Sequence, residues 1–308
     1  MIFNLSLSVD ARENGDVVPY QSLPWMGPDL RGQFDEQDQL RMKDFSDSIE
    51  AVLVPGFFHE WFKGYMDPIR DWLSMHSIQH STAVIGSDQS SASNADQIAL
   101  HVQSAQKPVL ILAHSRGGVD VLESLIRHPH LQSKVYGVIF IQSPFFGTWV
   151  ADFFSGRSAR SQALDAWSRF LLHSRLLPQS LRKKLFGIWQ STKALTALHR
   201  QAWMKENALE VEKIFESSTG LTVITKDQSF LKLRLFEFFR MIMQRKGIMS
   251  DGVVPERSMQ IPGVARVALE HLDHAFFVFR NRKAQSQQFD ICSRALLTIR
   301  QLKRESQN

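Results

Sequence analysis

"LILAHSRGGVDVLESL", residues 110–125, is the stretch whose reading decides the fold. It opens on an apolar run without alternation, the pattern of a strand buried on both faces. The run stops at a cluster of His, Ser, Arg and two glycines, and apolar residues then recur at helical spacing. Ser115 stands at the corner, with the small residues Ala113 and Gly117 two positions to either side. Small side chains belong there if the chain turns sharply from strand into helix, because larger ones would collide with neighbouring backbone.

Working outward, strand-like and helix-like segments alternate. "AVLVPG" (51–56), "STAVIGS" (81–87), "PVLILAHS" (108–115) and "VYGVIFIQS" (135–143) read as strands. "GYMDPIRDWLSMH" (64–76), "SNADQIALHVQSA" (93–105) and "GGVDVLESLIRH" (117–128) read as helices between them. Strict alternation predicts an α/β fold, a mostly parallel central sheet flanked by helices. The rhythm breaks after residue 150, where Leu-, Trp-, Arg- and Lys-rich helical segments are punctuated by Pro178 and Gly187. It resumes with "GLTVITKD" (220–227), the helical "SFLKLRLFEFFRMIMQRK", the strand-like "ARVALEHLDH" (265–274) and a last helix near "QFDICSRALLTIRQL". The expected organisation is an N-terminal extension over 1–45, a core over 46–149 and 218–308, and a helical cap or lid inserted over 150–217. Residues 86–94, "GSDQSSASN", form a short low-complexity loop.

Composition narrows the class. The 308 residues are 44% hydrophobic and 22% charged, ordinary values for a globular protein. No apolar run reaches the 18 to 20 residues, roughly, that a spanning helix needs. The first residues lack the basic start of a secretory signal, and Cys292 is the single cysteine, so the expected location is cytoplasmic. The net charge of +5 is unevenly spread: residues 1–50 hold 10 acidic and 4 basic side chains, whereas residues 153–205 hold 10 basic ones and only Asp165 as an acid. That basic segment, with Trp167, Phe170, Trp189 and Trp203, is a candidate for peripheral contact with an anionic membrane. No nucleic-acid-binding motif accompanies it, so no nucleic-acid partner is expected.

A serine hydroxyl becomes a useful nucleophile when a histidine accepts its proton and an acid orients that histidine. Downstream of Ser115, "MSDGVVPERS" offers Asp251 in an Asp-Gly turn, and Asp227 lies just past the strand "LTVIT" as an alternative. "LEHLDHAFF" offers His274, with His271 as the alternative. The order Ser, Asp, His is that of a known serine-hydrolase arrangement. No close His and carboxylate metal pattern and no phosphate or dinucleotide loop is present, so neither a metal nor a cofactor is expected.

Four segments, "VLVPGFF", "AHSRGGVD", "IQSPFFGTWVADF" and "SDGVVP", resemble the serine lipases and esterases of the α/β-hydrolase fold, in particular the bacterial triacylglycerol-lipase-like branch. The resemblance spans roughly residues 51–279 and leaves 1–45 and the insertion unmatched. It implies Ser115 as nucleophile, Asp251 as acid, and the backbone N–H groups of Phe57 and Arg116 as the oxyanion hole. Two departures stand out: Ala113 replaces the family's first glycine and Pro55 its oxyanion-turn histidine. Because main-chain amides do this work, Pro55 in place of the histidine need not abolish it.

The expected activity is a cofactor-free serine hydrolysis of carboxylic esters, with a lipid or long-chain acyl group as the favoured substrate. Phe57, Phe58, Phe145 and Phe146 are candidate pocket walls, and His114 a candidate lining residue. The same machinery serves thioesterases, acyltransferases and amidases, and a non-catalytic membrane-surface binding protein is the alternative outside enzymes.

Overall fold

The computed structural model describes residues 42–43, 45–155, 162, 178–226 and 234–306. Among these, six strands form one sheet: β1 (Glu50–Val54), β2 (His80–Thr82), β3 (Val109–His114), β4 (Val135–Ile141), β5 (Gly220–Lys226) and β6 (Ala265–Glu270). Their order is β2-β1-β3-β4-β5-β6, with every neighbouring pair parallel. The helices are α1 (Asp67–Met75), α2 (Ser91–Ser104), α3 (Arg116–Arg127), α4 (Trp149–Ser155) and α5 (Gln179–Ala194). They continue with α6 (Ala197–Glu206), α7 (Ala208–Ser217), α8 (Arg234–Arg245) and α9 (Gln285–Glu305).

The unalternating apolar runs follow from burial on both faces. In β1, Ala51 and Leu53 enter one core while Val52 and Val54 enter the other. In β3, Leu110 and Leu112 join the first core, and Val109, Ile111 and Ala113 the second. The register pairs Val52 with Ile111 and Leu53 with Leu112, so neighbouring strands feed matching layers. Each Val, Leu or Ile among them contributes about 1.5–3 kcal/mol on full burial. Helices α1 and α9 cover the first face and are joined where the Trp72 indole N–H donates to Ser293 Oγ at 2.9 Å. Helices α2, α3 and α7 cover the second, through Ile98, Val102, Leu122, Leu125, Val211 and Ile214.

Three sequence expectations shift in detail. The second strand is shorter than "STAVIGS" and ends at Thr82: Ala83 N–H still bonds Leu53 C=O, but Gly86 and Ser87 turn away to meet Asn94 and Glu60. Helix α2 starts at Ser91 because Ser90 caps it, its hydroxyl accepting the Ser93 N–H at 3.1 Å. Gly187 does not interrupt a helix; it lies inside α5, where a Cβ would run into the Asp88 backbone.

The described part of 150–217 is helical, and it divides by packing. Met204, Val211 and Ile214 belong to the second core, so α7 is a layer of the sheet sandwich. Helices α4 and α8 meet through aromatic rings, with Trp149 and Phe153 lying 6.0 and 5.4 Å from Phe239. Helix α5 exposes Leu181 and Phe186 beside Lys183 and Lys184. Trp167 and Phe170 of the basic segment, and all but Met42, Lys43 and Phe45 of the N-terminal extension, lie outside the described residues. Among the described residues no helix is long and apolar enough to cross a membrane.

The strand order reverses between β1 and β3. In open parallel sheets a crevice forms beside such a reversal, at the carboxyl ends of the strands. Phe57 follows β1 and Ser115 follows β3 at that crevice.

Candidate active site

Strand β3 ends at His114 and α3 begins at Arg116, leaving Ser115 alone to make the turn. It does so with φ 53° and ψ −127°. A non-glycine residue there costs on the order of 1–3 kcal/mol, and such strain concentrates at functional positions. Its N–H donates to Ile141 C=O at 2.8 Å, and its C=O accepts from Gly118 N–H at 3.0 Å. The glycine pair answers a volume requirement. A Cβ on Gly117 would strike the carbonyl oxygens of Val54 and Pro55, and one on Gly118 would strike the Ser143 side chain.

His274 comes from the loop after β6. His271, the alternative, leaves the strand with φ 63°, donates its N–H to Lys226 C=O at 2.8 Å and is exposed. Three residues on, the chain has turned inward: His274 N–H donates to Asp251 C=O at 3.1 Å, and the ring points at Ser115. His274 Nε2 lies 2.9 Å from Ser115 Oγ, and Nδ1 lies 2.7 Å from Asp251 Oδ2. Asp251 is fully buried and its other oxygen accepts the N–H groups of Val253 and Val254 at 2.9 and 2.8 Å. An ionised carboxylate accepts only, so Nδ1 carries the ring proton and Nε2 offers its lone pair to the serine hydroxyl. The alternative acid, Asp227, lies outside the described residues.

Phe57 N–H and Arg116 N–H, the sequence-predicted oxyanion donors, follow β1 and open α3. Neither is engaged by an acceptor among the described residues. The first turn of α3 adds its positive dipole end to any anion formed there.

A second layer, of which the sequence analysis singled out only His114, lies beneath. His114 is fully buried; its Nε2 is 3.1 Å from both Gln142 Oε1 and His274 C=O, and its Nδ1 is 2.6 Å from the Tyr65 hydroxyl. Two acceptors at Nε2 put the proton there, so Nδ1 accepts from Tyr65. Burial, and then the nearby His274 ring, hold the His114 pKa well below its ordinary value, while burial pushes the Tyr65 hydroxyl up. Gln142, at φ 55°, passes its amide protons to Thr225 Oγ1 at 2.5 Å and Asp273 C=O at 2.8 Å. His114 therefore supports the His274 main chain instead of lining a pocket. Nothing in "GYMDPIRDW" or "FIQSPFF" marks Tyr65 or Gln142 for this role; only the tertiary fold brings them together.

The four candidate wall phenylalanines separate. Phe57 packs with Val119, Ala151 and Leu195 beside the corner, and Phe58 stacks on Trp61 at 4.8 Å. Phe145 is instead a core residue, fully buried and 5.1 Å from the Phe140 ring, and Phe146 packs against the same core. Both face the sheet because "SPFFG" turns back under α6, with Arg200 Nε donating to Phe145 C=O. Among the described residues no group of three His, Cys, Asp or Glu side chains has the arrangement of a metal site.

No protein-family profile and no curated protein matches the chain. Solved structures do resemble it. A metagenomic carboxyl esterase, MGS0156, superposes with a TM-score of 0.60 at 21% identity, over 85% of this chain and 76% of that one. The mature form of the Bacillus licheniformis lipase BlEst2 gives 0.57 at 17% identity, over 74% and 85%. The chain has the α/β-hydrolase fold. Lipase 1 from Pelosinus fermentans, at 0.53 and 13% identity over 82% of this chain and 98% of that one, shares it. In the α/β-hydrolase fold the strand-turn-helix corner, the acid and the histidine follow one another along the chain in the order found here.

Proposed function

We propose that the chain is a serine hydrolase that cleaves carboxylic esters through an acyl-enzyme. The observation that carries this reading is the His274 ring, held between Ser115 Oγ at 2.9 Å and the buried Asp251 carboxylate at 2.7 Å. Ser115 Oγ attacks the acyl carbon while its proton passes to His274 Nε2, and Asp251 stabilises the imidazolium that results. Negative charge collects on the former carbonyl oxygen, which Phe57 N–H and Arg116 N–H receive; such donors contribute roughly 3–4 kcal/mol each where tested. Collapse of the tetrahedral species expels the alcohol, protonated by His274. Water then enters, gives its proton to the same nitrogen, and releases the acid.

The ring of Phe57 with Val119, Ala151 and Leu195, and the aromatic cluster of α4 and α8 beyond, favour an apolar acyl group, as in a lipid or long-chain ester. That three proteins of similar structure are named as lipases or carboxyl esterases supports ester over amide chemistry.

Covalent labelling by a fluorophosphonate tests the reading. Wild-type protein should label and hydrolyse p-nitrophenyl esters, and Ser115→Ala should do neither, with a loss of at least about 10⁴-fold in kcat. A folded wild type that neither labels nor hydrolyses esters across a range of acyl lengths would end it.

A further inference from the structure

We infer that Ser87, gripped by Glu60, is a positioning residue that sets the spacing of the two oxyanion amides, Phe57 N–H and Arg116 N–H. The inference rests on the hydrolase reading above and adds to it residues outside the triad.

The two donors belong to separate segments, one after β1 and one at the start of α3. What ties them together is the loop 86–89. On one side, Phe58 N–H, the next amide after the first donor, donates to Ser87 Oγ at 2.7 Å. On the other, the guanidinium of Arg116, whose own amide is the second donor, donates from Nη1 to Ser87 C=O at 2.9 Å and from Nη2 to Gln89 C=O. The same guanidinium lies 5.2 Å over the Phe57 ring. Ser87, itself buried, thus holds one donor segment by its side chain and the other by its main chain.

Glu60 gives that hydroxyl a fixed direction. Its Oε2 accepts Ser87 O–H and its Oε1 accepts Ser87 N–H, both at 2.6 Å. With its proton committed to Glu60, Ser87 Oγ presents only lone pairs to Phe58 N–H. Burial raises the Glu60 carboxyl, but the hydrogen bonds from the Ser87 hydroxyl and amide outweigh it and leave the group below its ordinary value. The bonds are therefore charge-assisted at neutral pH. Phe58 needs such a restraint, since at φ 63° it occupies the left-handed region that a phenylalanine rarely adopts. The loop is fixed from behind as well: Asn94 bonds Gly86 N–H at 3.0 Å and C=O at 3.1 Å, and Ser191 of α5 donates to Gln89 C=O at 2.7 Å. Oxyanion donors work only when aimed in advance, and a displacement of about 1 Å costs roughly 100-fold.

The test uses the full chain, a p-nitrophenyl ester, and a trifluoromethyl ketone whose Ser115 adduct carries the oxyanion. Ser87→Ala should lower kcat roughly 10- to 100-fold, leave KM within about twofold, and weaken the ketone by a factor similar to the kcat loss. Ser87→Thr keeps the hydroxyl and should restore most of both. Glu60→Gln should move both readouts the same way by less, and it carries the test alone if Ser87→Ala fails to fold. The inference falls if folded Ser87→Ala and Glu60→Gln match wild type in kcat and ketone affinity, if the loss lies in KM alone, or if Ser87→Thr is as impaired as Ser87→Ala. Wild-type protein that neither labels with fluorophosphonate nor hydrolyses the ester removes the hydrolase reading itself and this inference with it. Active wild type with unimpaired variants removes only the brace.

Discussion

Two regions border the proposed oxyanion amides of Phe57 and Arg116 and are built in opposite ways. The corner from β3 to α3 is specified by neighbours in sequence: Ala113, Ser115, Gly117 and Gly118 lie within six residues, and each glycine is small because fixed backbone or a fixed side chain stands against it. The loops 55–61 and 86–89 are specified across distance, by Glu60, Ser87, Asn94 and Arg116 reaching one another from four segments. Excluded volume at a tight turn leaves a compact sequence trace. Directional hydrogen bonds between segments leave almost none.

The sharpest way to break the corner is Gly117→Ala. The added methyl group meets the carbonyl oxygens of Val54 and Pro55, which belong to main chain and cannot rotate aside. Chemical denaturation should show a loss of about 1–3 kcal/mol, the usual cost of forcing extra volume into packed structure. Because the displaced element carries both the proposed nucleophile Ser115 and the proposed oxyanion amide of Arg116, kcat/KM for an ester should fall roughly 100-fold at temperatures where the variant is folded. Wild-type activity in a folded Gly117→Ala protein would show that the turn has room to spare, contrary to the reading of its small residues.

The same contrast explains what could be read in advance. Strands β1, β3 and β4 are almost continuous apolar runs because both sheet faces are covered, so pattern alone locates them. Strand β2 is a three-residue edge whose residues are exposed or half-buried, and in its apolar continuation Ala83 still bonds β1 and is buried while Val84 is exposed, so no clean pattern marks where the strand ends. Ser115 carries a motif. His274 and His271 are chemically equal in sequence, and only the inward turn after His271 separates them in space. "GSDQSSASN" looks featureless because Ser and Asn are common in loops, yet Ser87 and Asn94 are buried and fully engaged. Gly187 looks like a break because glycine disfavours helix, whereas its lack of a side chain lets helix and loop approach.

An intermediate effect comes from the layer under the corner. The His114 pKa is held well below its ordinary value of 6.5 in the folded protein, by burial first and by His274 second. Well above pH 6.5 the residue is neutral in both folded and unfolded chains and contributes no pH dependence. As pH falls below that value the unfolded chain binds the proton and the folded chain does not, so stability declines, by at most about 1.4 kcal/mol per pH unit for this one group. His114→Gln keeps an N–H for the His274 carbonyl and an acceptor for Tyr65 but does not titrate. Urea midpoints compared between pH 7 and pH 5 should fall less in His114→Gln than in wild type. Equal falls would mean that His114 is protonated in the folded state and that the Tyr65, Gln142 and His274 contacts are arranged differently.

The smallest effect bears on the distant-contact side of the comparison. Gly187 sits in the interior of α5, where replacing glycine by alanine ordinarily stabilises a helix by about 1 kcal/mol. Here the new methyl group would overlap the Asp88 carbonyl, so α5 and the loop 86–89 must separate. Propensity and packing thus have opposite signs, and packing should win, because the methyl group faces the Asp88 carbonyl and Cβ, which move only with the main chain. Gly187→Ala should be destabilised by up to about 1 kcal/mol in urea. It should lose only a few-fold in kcat, less than Ser87→Ala, since the bonds from Ser87 to Glu60 and Phe58 lie on the other side of the loop. A stabilised Gly187→Ala would show that α5 does not lean on the loop, and would leave the loop braced by Glu60, Asn94 and Arg116.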